Sequence, residues 1–295
     1  MTRVQEQAIP RILAGHEVLV KAKTGTGKTL AFLVPIIEEL ARSTPESGGD
    51  IRAVVITPAR ELAFQTKFVA DELLTFHRDR NNLSAVSLTG MSSVRRESGL
   101  MWDHRADILC ATADRLYDHM ENTEGFRDRL RNLRFLVLDE ADYLLSCHLE
   151  RMQAILRLLP PAKSWRGLLF SATFPEDTIS TASTLLSPGF VEVNMVSESD
   201  AATPSWIQQS YSVVQLEALA DVLWRVLQRE LRSGPPQKIL VFFPASRLAQ
   251  YYAELFQKAG MDILQMHGKA SRHDRRRVTG VFRAPTALAQ QSSVL

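Results

Sequence analysis

Cysteine is almost missing from this sequence. Only Cys110 and Cys147 occur among 295 residues. Their spacing fits neither a metal-ligand pair nor a disulfide framework, which excludes a cysteine-stapled fold and a thiolate metal site. Two such thiols suit a reducing compartment, or are simply buried. Long apolar runs are lacking too. Residues 30–37 form one of the longest, far short of the roughly 20 residues of a membrane span, so no membrane segment is expected. Nor is there an excess of one charge. Lys+Arg number 35 and Asp+Glu 33, a net +2. A polyanionic partner is neither demanded nor excluded, and any basic surface must be local. No secretory or transit pattern is present, because Met1 leads straight into patterned sequence. That abrupt start is compatible with a natural N-terminus further upstream. What remains is an ordinary globular composition, 45% hydrophobic and 23% charged, in a length that suits two domains or one large one.

The most informative stretch is Ala22-Lys23-Thr24-Gly25-Thr26-Gly27-Lys28-Thr29. It follows the apolar run 18–20 and opens a helix-like segment, 30–40. Strand, glycine-bearing loop, Gly-Lys-Thr and helix form the pattern of a phosphate-binding loop. Gly25 and Gly27 let the backbone approach an anion, with loop N–H groups turned inward as donors. The helix that follows presents its positive end. Lys28 is placed to reach the β- and γ-phosphates, and the Thr29 hydroxyl to ligate Mg²⁺. The general pattern opens with glycine, where Ala22 stands here. An ordinary glycine-rich turn is the plainer alternative. Gln5 lies upstream of this loop; its amide carries both a donor and an acceptor, as an adenine edge requires. By itself it would be a surface glutamine on a helix.

Unbroken β-prone runs recur at 53–56, 85–88, 108–110, 135–138 and 168–170. Continuous apolar character without alternation indicates strands buried on both faces. Helix-like segments separate them, so the fold class is α/β with a mostly parallel sheet. A polar cluster follows each run: Thr57-Pro58-Ala59-Arg60-Glu61, Thr89-Gly90, Ala111 to Arg115, Asp139-Glu140-Ala141-Asp142 and Ser171-Ala172-Thr173. In an open α/β sheet the carboxyl ends of the strands form the ligand-binding edge. Asp139 is suited to hold Mg²⁺, and Glu140 to orient and deprotonate an attacking water. The alternative is acidic helix capping.

Taken together and in this order, Gln5, residues 22–29, 58–62, 139–142 and 171–173 resemble the motifs of DEAD-box RNA helicases. The resemblance runs over residues 2–283, and the 22–29 loop is similar to that of the fungal mitochondrial branch. It implies tandem RecA-like domains with parallel sheets flanked by helices, the first complete and the second incomplete. It also implies an ATP-dependent RNA helicase using ATP and Mg²⁺. Gln5 would read adenine. Residues 24–29 would cradle the phosphates, with Thr29 and Asp139 on Mg²⁺ and Glu140 as base. Asp142 would bond to Ser171 or Thr173 and couple hydrolysis to strand separation. Pro58, Arg60, Glu61, Gly90, Thr112 and Arg115 would line the RNA backbone, joined by Arg275 from the second domain. Contacts of that kind carry little base specificity.

The sequence departs from the family pattern at several positions. Ala59 replaces a threonine, Met91 a glycine, and Ala113-Asp114 a Pro-Gly pair. The last change brings a carboxylate towards the expected phosphate track. Ser146-Cys147-His148 stands where a Gly-Phe is usual. The domains are expected at 1–194 and 206–283, with a polar linker at 195–205 and an unpatterned tail at 284–295. In the second domain, strands are expected at 207–214, 239–243 and 263–266, with helices at 216–231 and 245–258. Past residue 283 the resemblance stops. The family's Ala-Arg-Gly-x-Asp and His-Arg-x-Gly-Arg motifs are absent from the sequence, so a truncated chain with impaired turnover is expected. Arg272, Arg275, Arg276 and Arg277 lie nearby, on what reads as a solvated basic helix face. Two other classes compete with the helicase. One is a non-catalytic, ATP-gated RNA-binding or adaptor module; the other is another phosphate-loop ATPase without nucleic acid, such as a DNA-translocating motor. The Asp139–Asp142 and Ser171–Thr173 clusters argue against the motor. Compartment, RNA substrate and protein partners are not legible.

Overall fold

The computed structural model describes residues 1–43, 50–76, 83–90, 94, 97–99, 105–196, 207–232, 238–267, 270, 272–284 and 293–294. The chain divides into two compact units, Met1–Ala202 and Thr203–Leu295.

The first unit is built on seven parallel strands. They are β1 (Val18–Lys21), β2 (Ala53–Thr57), β3 (Ala85–Leu88), β4 (Ile108–Thr112), β5 (Phe135–Asp139), β6 (Arg166–Ser171) and β7 (Val191–Asn194). Their order in the sheet is β3-β4-β2-β5-β6-β1-β7. The helices are α1 (Arg3–Leu13), α2 (Lys28–Arg42), α3 (Arg60–Thr75), α4 (Ala113–Asn122), α5 (Ala141–Cys147), α6 (Leu149–Leu158) and α7 (Glu176–Leu185).

The uninterrupted apolar runs are explained by two cores, one on each face. Val18, Val20, Val55, Val137 and Phe170 pack with α1, α2 and α3. Leu19, Val54, Ile56, Leu138 and Leu169 pack with α4 to α7 on the other side. Successive side chains point to opposite faces, so a sheet covered on both sides needs apolar residues at every position. Phe32 of α2 meets Phe170 edge to face at 5.2 Å between centroids. At the amino edge of the sheet, the buried Arg52 pairs with Asp107 at 2.6 Å. Its Nη1 also donates to the carbonyls of Leu40 and Ser43. The carboxyl end of α2, the helix that begins at the glycine loop, is thereby tied down.

Strand register aligns the carboxyl ends. Lys21 lies beside Ser171, Asp139 beside Phe170, Thr57 beside Thr112 and Leu88 beside Ala111. The loops after these strands therefore share one edge.

The second unit is more sparsely paired than its sequence suggests. The helices α8 (Leu219–Arg232), α9 (Ser246–Lys258) and α10 (Arg272–Arg283) form, with a 3₁₀ turn at Leu216–Ala218. Among the described residues, the sheet is β8 (Lys238–Ile239) against β9 (Ser293–Val294). The strand expected at 207–214 is not one; Tyr211 is 92% exposed and Val213 91%. The strand at 239–243 shortens to Lys238–Ile239, leaving Phe242 88% exposed. At 263–266 there is only a bridge residue, Ile263. A strand persists only where a neighbour satisfies its N–H and C=O groups, and β-propensity alone cannot supply that neighbour. The expected tail contributes β9, which pairs in parallel with β8. Leu227, Tyr252, Phe256 and Met261 form the small core of this unit. Met91, Gly268, Lys269, Ser271 and most of the expected linker lie outside the described residues.

Candidate nucleotide and nucleic-acid site

The loop between β1 and α2 needs its glycines. Gly25 and Gly27 have φ of +76° and +89°, a region that L side chains rarely adopt. A methyl group at Gly27 would also lie 2.4 Å from the Gln5 amide nitrogen. The backbone N–H of Ala22 donates to the Ser171 carbonyl at 2.9 Å, so strand pairing runs one residue into the loop. Thr26 closes it by donating to the Lys23 carbonyl at 2.7 Å. Thr24 and Gly25 are exposed, and Thr29 is half-buried at the start of α2.

Gln5 is brought to this loop and is buried. Its amide nitrogen donates to the Gly27 carbonyl at 3.3 Å, and its oxygen accepts from the Thr2 N–H at 2.9 Å. The surface-glutamine alternative therefore fails. Thr2-x-x-Gln5 is a capping-box pattern at the start of α1.

Lys28 folds back over the loop. Its Nζ donates to the Ala22 carbonyl at 3.1 Å and lies 3.4 Å from Glu140 Oε1. β1 and β5 are separated by β6, a gap of about 9–10 Å at the usual strand spacing. The long Lys28 side chain spans part of it, and Glu140 spans the rest. Glu140 sits between β5 and α5 with φ of +54°, the one non-glycine with positive φ among the described residues. Such backbone costs about 1–3 kcal/mol and is concentrated at functional sites. Asp139 is only 7% exposed. Its carboxyl is pushed up to about 6, chiefly by burial and also by the charge of Glu140; Lys28 and a backbone hydrogen bond oppose the rise.

Next to this group, Thr173 donates its hydroxyl to Asp142 Oδ2. Asp142 Oδ1 accepts from the Tyr143 N–H at 2.8 Å, and the Thr173 N–H reaches Ser171 Oγ at 3.4 Å. The segments after β5 and β6 are thus joined by side chains.

The remaining polar clusters follow β2, β4 and β3, on the other side of β5. Gly90 has φ of +68°. A methyl there would lie 3.6 Å from Arg115 Cδ and 3.7 Å from an Arg60 guanidinium nitrogen, so these three residues meet. Arg60 and Glu61 are exposed, whereas Pro58 and Thr112 are half-buried. Arg115 is held from inside. Its Nε donates to Glu97 Oε2 at 2.7 Å, and Nη1 lies 3.7 Å from Asp118. The buried His119 shares Glu97 at 3.2 Å. Burial alone would raise the Glu97 carboxyl. Hydrogen bonds from His119 and Arg115, together with the Arg115 and His119 charges, outweigh burial and hold it below its ordinary range. Neither Glu97 nor His119 carries a sequence signal; only the packing of α4 brings them to Arg115. Arg275, in the second unit, donates to the carbonyls of Ala270 and His267. These bonds tie α10 to His267 and Ala270.

Of the two cysteines, Cys110 is buried and its thiol is pushed up to about 12, chiefly by burial. Cys147 is exposed, so burial, one of the two readings left open for the thiols, holds for Cys110 alone. No cluster of metal ligands built from three or more His, Cys, Asp or Glu side chains occurs among the described residues. None of their helices is long and apolar enough to cross a membrane.

A parallel sheet with a glycine loop, a lysine and an acidic strand end at its carboxyl edge defines the phosphate-loop class of nucleotide-binding proteins. Residues 2–182 match the family model of the DEAD/DEAH box helicases. The DEAD-box ATP-dependent RNA helicase 26 of Oryza sativa subsp. japonica is 38% identical over 294 residues, covering 99% of this chain and 54% of the relative. The ATP-dependent RNA helicase HAS1 of Kluyveromyces lactis is 38% identical over 278 residues, 93% of this chain and 53% of the relative. Among solved structures, Mss116p bound to ssRNA and AMP-PNP superposes with a TM-score of 0.82 at 26% identity, covering all of this chain and 59% of the other. The chain belongs to the DEAD/DEAH box helicase family. It spans about half the length of the curated relatives it matches.

Proposed function

We propose that this chain binds ATP with Mg²⁺ and a single RNA strand along the carboxyl edge of its first sheet, as part of an ATP-dependent RNA helicase. The observation that carries this reading is the strand order. It gathers the glycine loop, Ser171-Ala172-Thr173 and Asp139-Glu140 on β1, β6 and β5, and Arg60, Gly90 and Arg115 on β2, β3 and β4. Asp142 and Thr173 form a bonded link within the nucleotide half.

Gln5 spends one amide hydrogen and one lone pair on the protein. A primary amide has one more of each, which suits an adenine edge. Lys28 would transfer from Ala22 and Glu140 to phosphate oxygens. Thr29 at the start of α2 offers a half-buried hydroxyl and Asp139 at the end of β5 a buried carboxylate, oxygen donors of the kind a hard divalent ion that keeps several waters would take. Mg²⁺ so held would neutralise phosphate charge. Once Lys28 leaves it, Glu140 is available to accept a proton from water. Backbone groups, Thr112 and Arg60 are suited to phosphate and 2′-hydroxyl contacts without base readout.

A second reading, a nucleotide-gated RNA-binding module without turnover, is favoured by the sparse strand pairing of the second unit. Phosphate release in the presence and absence of RNA separates the two. The helicase reading expects RNA to stimulate release, and Glu140→Gln to abolish release while ATP still binds. Unstimulated or absent release with intact nucleotide-gated RNA binding would favour the module.

A further inference from the structure

The family's usual Pro-Gly is Ala113-Asp114 here, and the carboxylate has found a partner. Arg151 of α6 donates from Nε to Asp114 Oδ1 at 3.0 Å. Its guanidinium carbon lies 4.3 Å from the ring centre of Tyr117, one turn along α4 from Asp114. The pair borders an open groove lined by Asp114 and residues 146–151. Residues 146–148 are another segment that departs from the family pattern. Asp114 directly precedes Arg115, whose own guanidinium is engaged by Glu97 and Asp118.

We propose that Arg151 is an RNA-backbone contact held in reserve by Asp114, and that a phosphate takes the place of the carboxylate when RNA binds. This inference rests on the RNA reading above. The Asp114 side chain is 64% exposed and that of Arg151 38%, so water screens their attraction and the pair is weak. A guanidinium binds carboxylate and phosphate with the same planar fork. Exchange therefore needs no rearrangement of Arg151, and Tyr117 keeps the guanidinium plane in position throughout. Asp114 would thus act as a specificity element. It sets a threshold that a polyphosphate backbone passes and an isolated anion does not, because only the former brings neighbouring contacts at Arg60 and Thr112.

The test is a double-mutant cycle on RNA affinity, read by fluorescence anisotropy with a labelled single-stranded oligonucleotide and an ATP analogue, at several salt concentrations. Asp114→Asn should tighten binding up to about fivefold, the upper range for displacing an exposed ion pair. Arg151→Ala should weaken binding and lower the log–log salt slope by about 0.7, one phosphate fewer. In the Arg151→Ala background the gain from Asp114→Asn should vanish. Arg151→Lys should keep the salt slope while losing affinity, because the fork and the ring contact are gone. Melting temperatures of all variants establish that they fold. An equal gain from Asp114→Asn in both backgrounds would overturn the exchange and leave simple repulsion. An unchanged slope in Arg151→Ala would overturn the contact itself. If the wild-type chain bound no RNA, the underlying reading would fail; if it bound RNA and the cycle were additive, only this inference would.

Discussion

Lys28 and Glu140 are 112 positions apart in sequence, yet their side chains meet at 3.4 Å across an intervening strand. The pair holds the lysine over its own loop through the Ala22 carbonyl. A nucleotide must displace both contacts and offer phosphate oxygens in return. Lys28→Ala removes that charge, and charge-assisted hydrogen bonds are worth about 1.5–3 kcal/mol each. ATP affinity should fall by at least tenfold to a hundredfold. Isothermal titration finding unchanged affinity would remove Lys28 from the site.

Asp139 links the site to pH. Its carboxyl is raised from 3.8 to about 6, so folding favours the protonated form. The native state therefore carries a penalty that is absent below pH 4, grows as pH rises through that window and is complete above about 6. A rise from 3.8 to about 6 corresponds to about 3 kcal/mol as an order of magnitude. Asp139→Asn should raise the melting temperature at pH 7.5 and leave it nearly unchanged at pH 4. With Asp139 as the proposed Mg²⁺ ligand, the same titration would make protons compete with the ion. Mg²⁺-dependent ATP affinity should weaken as pH falls below about 6 in the wild type. Stability curves of wild type and variant that run parallel across pH 4–7.5 would contradict the assignment.

Gly27 is restricted twice, by a φ of +89° and by Gln5 lying where a Cβ would go. Gly27→Ala should cost about 1–2 kcal/mol from the backbone alone and push Gln5 from its place. The expected result is a lower melting temperature together with a reduced preference for ATP over GTP. Gly15, also at positive φ but with nothing near its Cβ position, is the control. Gly15→Ala should destabilise without altering nucleotide preference.

Asp142 and Thr173 connect two strand ends through an exposed hydrogen bond. Its loss should cost little stability, about 0.5–1.5 kcal/mol. Thr173→Ala should leave ATP binding intact and lower the amount of duplex separated per ATP hydrolysed. Parallel assays of phosphate release and strand separation decide this; equal losses in both would mean that the link serves hydrolysis alone.

RNA affinity should depend on salt more than on sequence. Contacts through backbone groups and Arg60 predict a log–log slope of about −0.7 per phosphate neutralised. Filter binding on randomised oligonucleotides should give little enrichment. Recovery of a defined motif would contradict a backbone track.

Much of the first unit is legible in the sequence, because its physics is local. Strands buried on both faces must be apolar throughout, a glycine loop must precede its helix, and each polar cluster must follow a strand. Residues 22–29, 139–142 and 171–173 could be identified for those reasons. The sequence alone did not determine the strand order β3-β4-β2-β5-β6-β1-β7, which depends on packing between elements far apart in the chain. That order sets the glycine loop beside Ser171, brings Lys28 to Glu140 and separates Arg60, Gly90 and Arg115 from them. Glu97 behind Arg115, and Arg151 beside Asp114, were invisible for the same reason: an ion pair across 18 or 37 positions leaves no periodicity. In the second unit the sequence overstated the sheet. Residues 207–214 and 239–243 have the composition of strands, but strand formation is decided by a hydrogen-bonding neighbour, and only the tertiary structure says whether one is there.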